Sequence, residues 1–81
     1  MTKEEYADFR TTVLLMRRKY TRTHTALEAP GTLYLGGHTE MGMRMYCSPG
    51  DFFYHPQMDL ARYMGMKVLV VRRDHYIGVG P

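Results

Sequence analysis

Tyr6, Phe9, Val13, Met16 and Tyr20 recur at spacings of three and four near the start of this chain, and no other feature limits the fold so strongly. Residues so spaced lie along one stripe of an α-helix, and an apolar stripe of that length has to be buried against something. Thr2 and Glu5 form a capping box ahead of it: the hydroxyl accepts from the third helical N–H while the carboxylate reaches back to the cap. The spacing predicts a helix from about Lys3 to Tyr20. A chain of 81 residues has room for a single domain, 1–81, with one core, and folding at this length buries roughly 60–65% of the surface of the unfolded chain. So small a core leaves stability to be gained from a second copy, which keeps homo-oligomerisation open.

Beyond the stripe the chain reads mostly as short strands and turns. Thr21 to Thr25 alternates threonine with Arg22 and His24, a β-branched run expected to be an extended connector, and residues 26–29 have the composition of an added turn. Pro30-Gly31 punctuates; Thr32 to Leu35 is a strand closed by Gly36-Gly37. Met41, Met43, Met45 and Cys47 alternate with Gly42, Arg44 and Tyr46, a period of two that predicts a second strand in a hairpin with the first. Ser48-Pro49-Gly50-Asp51 has the chemistry of a type II turn, and Phe52 to Tyr54 is either a brief strand or a lid. Pro56, Asp59, Leu60, Ala61 and Met64, ended by Gly65, predict a short second helix. The run Val68-Leu69-Val70-Val71 suggests a central strand covered on both faces; Asp74-His75 turns it, and Tyr76 to Val79 returns beside it. The expected fold is α+β, with a long N-terminal helix and one short helix on a sheet of four or five strands, antiparallel or mixed, in the order α-β-β-(β)-α-β-β.

Few chemistries find their residues in this chain. His24, His38, Cys47, His55 and His75 are the candidate metal ligands, but no two are closer than eight residues, whereas structural zinc sites draw on local pairs; no metal site is assigned. Nucleophilic catalysis would need Cys47, which the strand pattern buries, or Ser48, the one serine. Glu4, Glu5 and Asp8 belong to the helix start, leaving Glu40, Asp51 and Asp59 without evident partners for acid–base work. Gly36-Gly37-His38 and Pro49-Gly50-Asp51 suggest anion-binding backbone, yet neither follows a P-loop or dinucleotide pattern, and two-glycine turns are ordinary between strands. The expectation is therefore no enzyme, no catalytic residue and no cofactor. A single cysteine forms no internal disulfide, which with charged residues among the first nine and no long apolar run points to the cytoplasm and to no membrane partner.

The residue pattern that stands out is basic. Arg10, Arg17, Arg18, Lys19 and Arg22 crowd the second half and exit of the first helix. Opposite signs at the two helix ends complement its dipole, but that effect employs one or two cations and leaves an excess. Arginine dominates the set, which suits bidentate contact with phosphates or carboxylates, and Arg44 with Tyr46, and Arg72 with Arg73, are expected to extend the candidate surface from the sheet. Net charge is only +3, which permits an anionic partner without requiring one. The expected function is a small non-enzymatic binding module, in a narrower form an inhibitor or adaptor of the kind phages and mobile elements encode. It would dock an anionic macromolecule, either nucleic acid, a nucleoprotein complex or an acidic protein, through Arg10, Arg17, Arg18, Lys19, Arg22, Arg44 and Tyr46. The alternative is a homo-oligomeric small-ligand binder or enzyme, with Tyr34, His38, Arg44, Tyr46 and His55 converging at a subunit interface.

Overall fold

The capping box forms as expected in the computed structural model, which describes residues 1–23 and 30–81. The Glu5 amide donates to Thr2 Oγ1 at 3.1 Å and the Thr2 amide to Glu5 Oε1 at 2.9 Å, which also holds the Glu5 carboxyl below its ordinary pKa. The first helix, α1, runs Lys3–Thr23, one turn past the expected end at Tyr20. The threonines of that last turn stay helical by donating their hydroxyls back to the preceding turn, Thr21 to the Arg17 carbonyl and Thr23 to that of Lys19, both at 3.0 Å. The extended connector expected over Thr21 to Thr25 is thus helical as far as Thr23. His24 and the turn expected at 26–29 lie outside the described residues.

The α+β class and the two-helix, five-strand inventory hold, with β1 at Thr32–Gly36, α2 at Gly37–Tyr46, β2 at Phe52–His55, β3 at Leu60–Tyr63, β4 at Met66–Val71 and β5 at Ile77–Gly80. The element order is therefore α-β-α-β-β-β-β, not the expected α-β-β-(β)-α-β-β. Two assignments exchange places. The methionine-rich segment expected as a strand is α2: Thr39, Gly42 and Met43 are buried on one side while Met41 and Met45 face solvent, and Glu40 pairs with Arg44 one turn on. The segment expected as a second helix instead contains the β2–β3 and β3–β4 turns. Asp59 and Met64 have φ of 46° and 49°, and Gly65 has 82°, values no α-helix accommodates. Met64-Gly65, with both φ positive, forms a two-residue type I′ hairpin turn, so Gly65 does take a left-handed conformation, but at a hairpin. Asp51 donates its amide to the Ser48 carbonyl as a turn requires, yet Gly50 is not left-handed, so the turn is not type II.

The sheet is mixed, in the order β2-β3-β4-β1-β5, with β1 parallel to β4 and every other pair antiparallel. Phe52 to Tyr54 joins it as part of the edge strand β2. Both helices pack on one face, where Tyr6, Phe9 and Val13 of α1 and Met43 of α2 meet Leu33, Leu35, Tyr63 and Met66. Within this core the Tyr6 and Tyr63 hydroxyls lie 2.8 Å apart, and burial together with that bond pushes the Tyr63 phenol well above its ordinary pKa. β4 is central, but it is not covered on both faces: Leu69 and Val70 are exposed. No helix among the described residues is long and apolar enough to cross a membrane.

Candidate functional site

Each basic side chain on α1 has surroundings set by its helical position. Arg10 faces the β2 side of the molecule, where its Nε donates to Asp51 Oδ2 at 3.1 Å, and the same oxygen accepts from Ser48 Oγ. Arg17 borders the buried stripe and is half-buried, with Nε enclosed and without a hydrogen-bond partner among the described residues. Arg18, Lys19 and Arg22 lie toward solvent. No carboxylate among the described residues pairs with Arg17, Arg18, Lys19 or Arg22.

The two residues assigned from the second segment lie on α2. Arg44 pairs with Glu40, and its guanidinium sits 5.2 Å from the centre of the Phe52 ring and 5.8 Å from that of Tyr54. Tyr46, in the last turn of α2, is exposed. Arg10 and Arg44 thus approach neighbouring residues at the start of β2, each paired with a carboxylate, while the four cations of the last turns of α1 have no carboxylate partner among the described residues. Of the residues considered for a shared ligand site, Tyr34 and His55 are on the sheet face away from the helices, His38 opens α2, and Arg44 and Tyr46 close it. Within one chain they do not converge.

The glycine pair at the β1–α2 junction has its amides occupied. Gly36 donates to the Tyr76 carbonyl, Gly37 to that of Arg73, and His38 and Thr39 to that of Asp74, so the loop between β4 and β5 caps the start of α2. A Cβ on Gly36 would lie 2.6 Å from the Arg73 carbonyl oxygen and 2.7 Å from that of Asp74. Backbone carbonyls fill the space an anion would need. His38 and His75 meet edge to face at 5.5 Å beside this junction, and no cluster of three or more metal-ligating side chains exists among the described residues. Cys47 closes α2 rather than a strand; it is half-buried against the core, and burial raises its thiol pKa, away from the reactive thiolate.

The sheet face opposite the helices was not legible as a surface in the sequence, because its composition depends on register. Phe53 pairs with Arg62, Arg62 with Lys67, Lys67 with Thr32 and Thr32 with Gly80, so these five residues form one row across the sheet. The adjacent positions on the same face hold His55 opposite Leu60, and Leu69, Tyr34 and Gly78 side by side. No element packs over this face among the described residues. Its one sequence signal was alternation in β2, where Phe52 and Tyr54 point to the helix side and Phe53 and His55 away. Compared with protein families, curated proteins and solved structures, the chain matches none.

Proposed function

We propose that this chain is a small non-enzymatic binding module that docks an anionic macromolecule through the cations in the last turns of α1. One observation carries the reading: Arg17, Arg18, Lys19 and Arg22 have no carboxylate partner among the described residues, while Arg10 and Arg44 are engaged by Asp51 and Glu40. Ordinary helix-dipole complementarity does not require four cations in two turns, and like charges at (i, i+4), as at Arg18 and Arg22, work against the free helix. Such an arrangement is relieved when a polyanion lies against it. Inhibition or adaptation of a larger complex is the narrower form of the same activity.

The test is a salt titration of binding to a duplex DNA. Four neutralised phosphates give a slope of log K against log salt of about −3.6, and replacing Arg18, Lys19 and Arg22 together by alanine brings it to about −0.9. All three lie outside the core, and the lost dipole complementarity and the relieved Arg18–Arg22 repulsion act in opposite directions, so the melting temperature changes little and a cooperative thermal transition reports that the variant is folded. For an acidic protein partner the same variant loses capture, and capture survives nuclease treatment. Binding that ignores salt and tolerates the triple substitution refutes the proposal.

A further inference from the structure

We infer that the open face of the sheet is a second binding surface, and that its ligand is single-stranded nucleic acid. The row Phe53, Arg62, Lys67, Thr32 puts two cations directly opposite each other on neighbouring strands, β3 and β4. Like charges in that position destabilise a sheet, and no acid of the sheet neutralises them: none of the five strands contains an aspartate or glutamate. Arg62 donates one N–H to the Gly65 carbonyl, which is uncharged. The charge that the strands themselves place on this face is therefore of one sign.

Rings lie on either side of the cations. On β2, Phe53 is 55% exposed and meets His55 edge-on, with ring centres 4.3 Å apart. On the far side the rings of Tyr34 and Tyr76 lie over glycines of β5: a Cβ on Gly80 would come within 3.0 Å of Tyr34, and one on Gly78 within 2.9 Å of Tyr76. The guanidinium of Arg73 adds a cation 5.4 Å from the centre of the Tyr76 ring. Phe53 on β2 and the Tyr34 ring over Gly80 on β5 are four strand spacings apart, about 19 Å, and the row between them holds Arg62, Lys67 and Thr32, so a chain laid across the face meets a ring, two cations, a threonine and a second ring.

That set offers cations to phosphates and, on either side of them, rings to unstacked bases. Base–aromatic stacking needs exposed rings and free bases, which a duplex withholds and a single strand presents. An acidic peptide would employ the cations and leave the rings idle. A second copy of this chain would set Arg62 and Lys67 against further cations. The inference shares with the proposed function only the premise of a polyanionic partner, and it rests on different residues.

The experiment measures fluorescence anisotropy with labelled oligothymidylate and oligouridylate of about 12 nucleotides, within the usual ~4–16 of such sites, with a duplex of the same length, and with inorganic polyphosphate as competitor. Single strands are expected to bind at least tenfold tighter than the duplex and to resist polyphosphate. Phe53→Ala weakens single-strand binding by about 5- to 150-fold and leaves duplex binding unchanged. Lys67→Glu also weakens it while raising the melting temperature, because it converts a repulsive cross-strand pair into an attractive one; a residue kept for stability cannot give that combination. Preference between the two oligonucleotides assigns DNA or RNA. Equal binding of duplex and single strand, indifference to Phe53→Ala, or a dimer formed through this face overturns the inference. If only the triple alanine variant of α1 loses affinity, the open-face inference fails and the helix reading stands; if only the Phe53 and Lys67 variants do, the reverse holds.

Discussion

The buried phenol pair of Tyr6 and Tyr63 offers a quantitative test of how the long helix is fastened to the sheet. Their hydroxyls are 2.8 Å apart, Tyr63 is fully enclosed and Tyr6 is 9% exposed. Tyr6→Phe strands the Tyr63 hydroxyl between the Phe9 ring, 5.7 Å away centre to centre, and the surrounding core, at a cost of about 1–3 kcal/mol for an unsatisfied buried group. Tyr63→Phe strands the Tyr6 hydroxyl, which water reaches more readily, so its cost falls near the lower end, about 1 kcal/mol. The double substitution removes both hydroxyls from a site of unchanged shape and is close to neutral. Urea denaturation of the four proteins therefore shows a double variant more stable than Tyr6→Phe, with a coupling energy above about 1 kcal/mol. In a domain this small each kcal/mol moves the melting temperature by about 4–8 °C. The pH dependence supplies an independent sign. The Tyr63 phenol is raised in the folded state from an ordinary pKa of 10.0, so only the unfolded chain ionises it as pH passes that value. Its contribution is complete below pH 10 and is lost as pH rises beyond, at up to about 1.4 kcal/mol per pH unit; Tyr63→Phe flattens this alkaline decline. Single-substitution costs that add within about 0.3–0.5 kcal/mol in the double variant would refute the pairing, and an alkaline decline indifferent to Tyr63 would refute the burial that chiefly raises its phenol.

Gly36→Ala puts a methyl group against the Arg73 and Asp74 carbonyls, both backbone and both already accepting from the first amides of α2, so it costs at least about 1–3 kcal/mol. Gly37→Ala meets nothing within 4 Å and serves as the control; equal melting temperatures for the two variants would contradict this account of the junction. Thr2→Ala removes the cap of α1 and costs about 0.5–2 kcal/mol in thermal unfolding, whereas Thr2→Ser retains most of it.

Where the sequence was readable, the determinants were local. The capping box and the apolar stripe of α1 each act over a few positions, and each formed. The methionine-rich segment is misleading because Met41, Met43 and Met45 satisfy a period of two, while the helix they join buries Thr39, Gly42 and Met43. The deciding contacts are distant: the amides that begin α2 are capped by carbonyls more than thirty residues later, at Arg73 and Asp74. Likewise Pro56, Asp59 and Gly65 are placed as helix punctuation would place them, but Asp59 is anchored instead by the Tyr54 hydroxyl at 2.7 Å and sits in a left-handed turn. For the surfaces, the α1 cluster was visible because its residues are neighbours in the chain. The pairing of Arg62 with Lys67 exists only in the register of β3 against β4.

A net charge of +3 understates how the charges are arranged, and the destinations of the carboxylates explain why. Glu4, Glu5 and Asp8 lie in the early turns of α1, where they complement the helix dipole and cap the chain. Glu40 holds Arg44, Asp51 holds Arg10, Asp59 accepts from Tyr54, and Asp74 is in the loop that closes the start of α2. Each of these acids is placed by its part in the fold, and none falls on a strand or in the last turns of α1. Of the remaining cations, Lys3 lies among the acids of the first turn of α1 and Arg72 and Arg73 share a loop with Asp74, whereas Arg17, Arg18, Lys19 and Arg22 on one element and Arg62 and Lys67 on the sheet are collected where no carboxylate of the same turns or strands accompanies them. Screening over about 8 Å at physiological ionic strength keeps the field of each surface local, so a partner responds to the nearby cations more than to the overall balance. Overall balance is then a poor guide to the proposed partners, and if either proposal holds, a carboxylate placed at Lys67 or Arg18 changes binding far more than the same charge placed near Glu4.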